Sequence, residues 1–154
     1  MSPRCAPGAA SPRVEVRVFL DANILFSAAK SDGALRRLLG LLSETGHVCC
    51  VDDYVVDEAR RNLARKGVEG LAVLDALLAR VETSASLVPR ESTGMPWDWL
   101  PAKDRPVLAS AIRLRCDALL TGDRTDFGAG YGKSFGGVSI HSPRSLLERL
   151  FPIG

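Results

Sequence analysis

The chain has few of the residues that build zinc sites, disulfide frameworks or membrane spans. It holds two histidines and four cysteines, and no two of the cysteines stand in a C-x-x-C spacing. The chain therefore lacks the ligand spacing of a zinc site and the cysteine pattern of a disulfide framework. Unpaired thiols fit a reducing cytosol. No apolar stretch approaches the roughly 20 residues that cross a bilayer. These absences predict a cytoplasmic protein without a membrane partner.

A strong excess of one charge is also missing. The chain carries 20 basic and 18 acidic residues, and a net charge of +2 does not by itself indicate nucleic-acid binding. Several basic residues nevertheless cluster on predicted helices: Arg36, Arg37, Arg60, Arg61, Arg65 and Lys66. Beside an acidic cleft such residues could hold phosphates. A solvated helix face explains any one of them equally well.

The length and composition indicate one globular domain. Hydrophobic residues make up 46% and charged residues 25% of 154 residues, close to the average for folded domains. Residues 1–13 are rich in Pro, Ala, Ser and Gly and lack the continuous apolar core of a signal peptide. We therefore expect a disordered tail over residues 1–13 and a folded domain over residues 14–154.

Predicted strands alternate with predicted helices along this domain. Alternating or continuous apolar runs predict strands over residues 14–20, 47–51, 86–89, 118–121 and 138–141. Helical periodicity and capping residues predict helices over residues 22–29, 34–44, 54–66, 68–81, 104–115 and 144–150. Such alternation predicts an α/β fold, a central parallel sheet of about four to five strands with helices on both faces.

Four acidic residues stand at strand ends or on the neighbouring helices: Asp21, Glu58, Asp104 and Asp123. The carboxyl ends of parallel strands gather along one edge of such a sheet, where ligands bind. Carboxylates crowded there disfavour one another's ionisation unless a cation neutralises them. Ligands that are all oxygen favour a hard ion, Mg²⁺ or Mn²⁺. The pattern therefore predicts a metal site at the sheet edge.

Each acid taken singly also fits an ordinary structural role. Asp21 follows a strand and could cap the next helix, and Asp104 precedes a helix with a proline in its first turn and is predicted to cap that helix. Glu58 could be a surface residue of its helix, and Asp123 and Asp126 could belong to a polar turn. The two interpretations are compatible, because a carboxylate has several lone pairs.

The sequence around these acids resembles the PIN-domain family, metal-dependent ribonucleases that include the VapC-like toxins of bacterial toxin–antitoxin pairs. The resemblance spans residues 16–150. It rests on four motifs: Val18-Phe19-Leu20-Asp21-Ala22-Asn23, Asp57-Glu58-Ala59, Lys103-Asp104-Arg105-Pro106, and Leu119-Leu120-Thr121-Gly122-Asp123 with Asp126-Phe127.

The resemblance implies a function and a role for individual residues. As catalytic residues and metal ligands it implies Asp21, Glu58, Asp104 and Asp123, with Asp126 as a further ligand and Asn23 and Thr121 as supporting polar groups. The implied activity is endoribonuclease cleavage of single-stranded or structured RNA with Mg²⁺ or Mn²⁺. The implied partners are RNA, a small antitoxin protein and a second copy of the chain in a homodimer. Whether Asp123 or Asp126 is the main fourth ligand stays open.

Other functions are weaker or remain as alternatives. A phosphotransferase of the haloacid dehalogenase type needs a second Asp where this chain has Asn23, and a phospho-receiver module needs an acidic pair after the first strand. A PIN-like module that binds RNA or a partner without cutting it remains the alternative. Trp97 and Trp99 could stack on RNA bases or close the core beneath a long loop.

Overall fold

The computed structural model describes residues 15–86 and 95–152, which form a layered α/β arrangement. Its strands are β1 (Arg17–Leu20), β2 (Val48–Asp52), β3 (Glu82–Ser84), β4 (Ala118–Leu120), β5 (Ser134–Phe135) and β6 (Val138–His141). Its helices are α1 (Ala22–Lys30), α2 (Ala34–Glu44), α3 (Asp53–Lys66), α4 (Gly70–Leu78), α5 (Arg105–Arg113), α6 (Arg124–Phe127) and α7 (Pro143–Leu150). A short 3-10 turn follows α6 at Gly128–Gly130.

One six-stranded sheet runs through the domain in the order β3-β2-β1-β4-β6-β5. Neighbouring strands from β3 to β6 pair in parallel, and only β5 runs antiparallel, against β6. The predicted α/β class and parallel sheet are therefore confirmed. Strand β5 was not predicted, because its two residues lie in a glycine-rich stretch and carry no strand periodicity.

The central strands are buried because helices flank the sheet. Val18, Phe19 and Leu20 of β1 and Leu119 and Leu120 of β4 have no exposed surface. Uninterrupted apolar runs of this kind are typical of parallel strands covered on both faces. Asp21 and Thr121 are the first polar residues after these buried runs, so they lie at the carboxyl ends of β1 and β4.

Helix α3 places its apolar face against the core. Val55, Ala59 and Leu63, spaced at four-residue intervals, have no exposed surface. Asp52 caps this helix by accepting a hydrogen bond from the Val55 N–H, which fixes where α3 begins. Glu58 lies one position from the buried stripe and is half-buried, so it stands at the edge of the packed face.

Two boundaries differ from the predictions. The third strand is Glu82–Ser84, and the strand predicted over residues 86–89 falls mostly outside the described residues. The helix predicted over residues 68–81 is shorter, Gly70–Leu78, because β3 must begin at Glu82 to pair with Cys50 of β2. The tail predicted over residues 1–13 also lies outside the described residues. Within residues 15–86 and 95–152, every helix is too short or too polar to cross a bilayer.

Candidate metal centre at the carboxyl ends of the strands

Asp21 and Thr121 are neighbours because β1 and β4 pair in parallel and end side by side. Leu20 pairs with Leu120 in the register, and the next residue along each strand is the polar one. The Thr121 hydroxyl donates a hydrogen bond of 2.8 Å to Asp21 Oδ2. The other carboxylate oxygen of Asp21 accepts the Ala22 N–H at 2.8 Å and caps α1. Asp21 is therefore both a helix cap and an acid held at the sheet edge.

Asn23 ties the first turn of α1 to the loop after β4. Its amide nitrogen lies 3.2 Å from Asp21 Oδ2 and 3.3 Å from Thr121 Oγ1. Its side-chain oxygen accepts the Gly122 N–H at 2.9 Å. Asn23 and Thr121 thus fix the orientation of the Asp21 carboxylate, a geometry that suits the supporting role implied for them.

The Asp21 carboxylate is unfavourably placed for a negative charge when no cation is present. Asp21 is only 6% exposed. Burial raises the pKa of Asp21 to about 6, against the lowering effect of the hydrogen bonds from Thr121 and Ala22. The nearby Glu58 and Asp123 carboxylates raise it further. A cation beside these groups would offset the repulsion between the carboxylates and favour their ionised forms.

Asp123 and Asp126 are brought together by the short helix α6. Asp123 caps the helix by accepting the Asp126 N–H at 3.0 Å. The Thr121 hydroxyl oxygen in turn accepts the Asp123 N–H at 3.1 Å. Both acids of this turn are half-buried, so the polar-turn role and the position beside Asp21 coexist.

Asp104 precedes α5, yet the prediction that its side chain caps that helix is wrong. Its backbone has φ −101° and ψ −11°, and its carboxylate makes no hydrogen bond to the N–H groups of the helix. Capping geometry requires an extended backbone at this position, and the turn that brings the Asp104 N–H to the Pro101 carbonyl at 2.9 Å prevents it. The carboxylate is therefore available to a ligand.

Asp104, Asp123 and Asp126 form a compact oxygen cluster. Each offers one carboxylate oxygen, and these atoms lie within 4.8 Å of one another. Burial, together with the adjacent Asp126, raises the pKa of Asp104 to about 7. Hydrogen bonds from Lys103 and Asp104 lower the pKa of Asp126. Three half-buried carboxylates at this spacing match the oxygen-only donor set of a hard divalent cation.

All four predicted acids line one cavity of about 260 Å³. It is lined by Asp21, Asn23, Phe26, Glu58, Asn62, Lys66, Lys103, Asp104 and Asp123. Glu58 reaches the cavity from α3. Asp126 lies beside this lining, within the oxygen cluster, and Thr121 stands behind Asp21 with no exposed surface.

Three lining residues, Phe26, Asn62 and Lys103, received no site role from the sequence, whereas Lys66 was among the basic residues that could hold phosphates beside an acidic cleft. Asn62 and Lys66 follow Glu58 at four-residue intervals on α3, so helical spacing alone could have placed them beside it. Lys103 directly precedes Asp104, and Phe26 lies on α1 three residues after Asn23. For Lys103 and Phe26, the sequence contains no signal that separates a cavity residue from a surface residue.

The tryptophan pair packs away from the acidic cavity. The Trp99 ring lies 4.9 Å from the Phe135 ring and 6.4 Å from the Phe127 ring, centroid to centroid. Trp97 packs partly buried against the core. Neither residue lines the cavity. The packing favours closure of the core over base stacking at this site.

Comparison with known proteins places the chain in a family. A family model described as a PIN domain matches residues 17–125, and the chain belongs to the PIN-domain family. The matched segment holds Asp21, Glu58, Asp104 and Asp123, so it covers the four motifs up to the last of these acids.

Two solved structures share the fold. The chain is similar to VapBC2 from Rickettsia felis bound to a DNA fragment from its promoter, with a TM-score of 0.60 and 16% identity over 82% of this chain and 98% of that one. It is also similar to DNA-bound VapBC from Salmonella typhimurium, with a TM-score of 0.58 and 13% identity over 83% of this chain and 98% of that one. None of the curated proteins compared with the chain matches it.

Proposed function

We propose that the protein is a divalent-metal-dependent endoribonuclease that cleaves single-stranded or structured RNA. The observation that carries this proposal is the convergence of four acids from four separate segments on one cavity. Crowded carboxylates destabilise a metal-free fold, as the raised pKa values of Asp21 and Asp104 indicate. Such perturbed groups in one cleft are typical of functional sites.

The residues present fit Mg²⁺ or Mn²⁺. Asp104, Asp123 and Asp126 would hold the ion, and Asp21 and Glu58, which line the same cavity, would serve as further ligands. When bound, the ion supplies Lewis acidity toward a phosphate oxygen and lowers the pKa of a water molecule. Neither of the two histidines of the chain lines the cavity, so none stands ready as a general base there.

The remaining lining residues suit a phosphodiester substrate. Lys66 and Lys103 bring positive charge to the rim of an acidic cavity, where they can contact phosphate oxygens that flank the reacting one. Asn23 and Thr121 hold Asp21 in one orientation. An exposed cavity at a sheet edge admits a single strand or a loop more readily than a duplex, whose base edges are hidden in the grooves.

Cleavage of a fluorescently labelled single-stranded RNA tests this proposal. We expect cleavage with Mn²⁺, none with EDTA, and none in Asp104→Asn, whose side chain caps no helix. Glu58→Gln should also be inactive, while Asp57→Asn, an exposed neighbour on the same helix, should keep full activity. Cleavage that persists in EDTA or in Asp104→Asn would refute the assignment. Mn²⁺ binding without cleavage would direct the search to folded RNAs such as transfer RNA.

We extend the proposal to a toxin of a type II toxin–antitoxin pair with a small antitoxin as partner. The similar structures are VapBC assemblies, which supports such a partner here. A second cavity, of about 600 Å³, suits the apolar face of a partner helix. It lies between α1, α2, α4 and β2 and is lined mainly by apolar side chains, among them Leu25, Leu39, Val73, Leu77 and Val81.

Matched substitutions on α4 test the partner. Ala76 lines the second cavity and Ala72 does not, and both are exposed. Growth arrest on induction should be relieved by the product of a short reading frame beside the gene. Ala76→Glu should prevent this relief and the co-purification of the two proteins, and Ala72→Glu should allow both. Equal behaviour of the two variants would exclude this cavity as the binding site of the partner.

A non-catalytic PIN-like module is the second candidate, and one observation favours it. The Lys103 ammonium already offsets part of the negative charge of the cluster, at 2.8 Å from Asp126 and 3.3 Å from Asp104. A site whose charge is partly offset in this way can exist without a metal ion. Calorimetric titration with Mn²⁺ separates the two candidates, because a module of this kind would show no metal binding and no cleavage.

A further inference from the structure

Lys103 places a positive charge inside the oxygen cluster. Its Nζ lies 2.8 Å from Asp126 Oδ2 and 3.3 Å from Asp104 Oδ2. The lysine side chain is 70% exposed, whereas those of Asp104 and Asp126 are 13% and 18% exposed. The cation therefore reaches from solvent into a position between two acids that face the cavity.

This contact differs from an ordinary surface ion pair in its position. Asp104, Asp123 and Asp126 offer oxygens within 4.8 Å of one another, and two of these three residues hold the ammonium. A lone pair that accepts an N–H from Lys103 is not free to coordinate a metal ion. A positive charge this close to a divalent cation also repels it. The ammonium and a metal ion therefore compete for the same acids.

Only the side chain of Lys103 has to move for the ammonium to leave. Its carbonyl oxygen accepts a hydrogen bond of 2.6 Å from the Tyr54 hydroxyl, which holds the backbone against α3. The flexible four-carbon stem can rotate while this backbone bond persists. Exchange of the ammonium for another cation is therefore compatible with an unchanged fold.

We propose that Lys103 is an internal competitor of the divalent ion, one that pairs with Asp104 and Asp126 in the metal-free protein and leaves them when the ion binds. This inference rests on the proposed metal-dependent function. It adds a regulatory property to the site: Lys103 sets the concentration of free metal at which the centre fills. Below that concentration the protein is folded and inactive.

Calorimetric titration of the metal-stripped, full-length chain with MnCl₂ tests the inference. Lys103→Met keeps the length of the side chain and removes its charge. Because the ammonium no longer competes for Asp104 and Asp126, we expect Mn²⁺ affinity to rise about tenfold at low ionic strength. Lys103→Arg should keep the affinity of the parent chain within about threefold, because the cation is retained.

Two further lysines supply matched controls. Lys66 lines the same cavity, and within residues 15–86 and 95–152 it takes part in no ion pair, while Lys133 is exposed on a loop elsewhere. Lys66→Met reports the general effect of cavity charge, and Lys133→Met reports the effect of net charge. Each should change Mn²⁺ affinity by less than about twofold, since neither ammonium contacts the cluster.

The outcomes separate this inference from the proposed function. Equal Mn²⁺ affinity in Lys103→Met and the parent chain, or weaker binding in the variant, overturns the competitor and leaves the metal site in place. An equal rise in Lys66→Met also overturns it, because cavity charge alone would then explain the effect. Absence of Mn²⁺ binding in every variant overturns the proposed function and this inference together.

Discussion

The Tyr54 hydroxyl donates a hydrogen bond of 2.6 Å to the backbone carbonyl oxygen of Lys103. Tyr54 lies in the first turn of α3, four residues before Glu58, and Lys103 directly precedes Asp104. The bond therefore connects the helix that carries one acid of the cavity to the loop that carries another. Two acids that are 46 positions apart in the numbering, 104 against 58, are held in one arrangement by a bond that involves neither of them.

Tyr54→Phe should weaken this connection without disturbing the packing of the ring. We expect the free energy of unfolding to fall by about 1 kcal/mol, the usual net value of one hydrogen bond. Mn²⁺ affinity should fall severalfold, because Asp104 is held less firmly in the cavity that it shares with Glu58. Urea unfolding and calorimetry measure the two effects. Unchanged metal affinity with reduced stability would show that the bond supports the fold and not the site.

The stability of the metal-free protein should fall as the pH rises from about 4 to about 6. The pKa of Asp21 is about 6 in the fold against 3.8 in a model carboxyl, so the folded state holds this proton more tightly than the unfolded state. Unfolding then releases a proton within this window, and the fold loses stability until Asp21 is fully ionised. Asp21 alone accounts for a loss of up to about 3 kcal/mol.

Asp104 and Asp126 change how stability varies at the two ends of this pH range. The raised pKa of Asp104, about 7, acts in the same direction and extends the decline toward neutral pH. The lowered pKa of Asp126 acts oppositely, and its stabilisation is lost only under more acidic conditions. Urea unfolding in EDTA across this range measures the profile. Asp21→Asn should flatten it between about pH 4 and 6, and saturating Mn²⁺ should remove the decline. A profile identical in Asp21→Asn would contradict the prediction.

A buried polar contact joins the start of α3, the helix that carries Glu58, to α5, the helix that Asp104 precedes. The carboxylate of Asp52, which caps α3, accepts a short hydrogen bond from the hydroxyl of Ser110 on α5, and both residues are almost wholly buried. Ser110→Ala removes a donor from a buried carboxylate and should cost about 1 to 3 kcal/mol of stability. Ser43→Ala, at an exposed position of α2, should change stability by less than about 0.5 kcal/mol. Thermal or urea unfolding of both variants checks the difference.

Two glycines close to α6 should respond oppositely to alanine. A Cβ at Gly130 would lie 2.6 Å from the Trp99 ring and 3.0 Å from the Ile140 side chain. Gly130→Ala should therefore destabilise the protein by about 1 to 3 kcal/mol through overpacking. A Cβ at Gly128 would meet nothing within 4 Å, and its φ of −56° suits alanine. Gly128→Ala should stabilise by up to about 1 kcal/mol. Equal effects would show that Trp99 is free to shift.

Features with a strong local cause could be predicted from the sequence. The helix predicted over residues 34–44 is α2, Ala34–Glu44, because four leucines repeat at helical spacing. The strand predicted over residues 138–141 is β6. The acids were placed together because polar residues that follow buried parallel strands end at one edge of the sheet. Their roles as ligands and catalytic groups remain predictions.

Features set by tertiary contacts could not be predicted in this way. An Asp two residues before a proline predicts a capped helix, but the turn from Pro101 to Asp104 selects a helical backbone that turns the carboxylate toward the cavity. The position of the Lys103 ammonium depends on Asp126, 23 residues away. Strand β5 exists because it pairs with β6, and not through any preference of Ser134 and Phe135.

Short outer strands limit how this protein can associate. The sheet ends in β3, of three residues, and in β5, of two residues. The side chain of Arg17 also donates two hydrogen bonds, of 3.1 and 3.0 Å, to the Glu82 carboxylate of β3. So few free backbone groups give an incoming chain almost no template for strand addition. From the strands of residues 15–86 and 95–152, we therefore expect a second copy or another protein to bind through helices and loops, with growth of the sheet from one molecule into the next disfavoured.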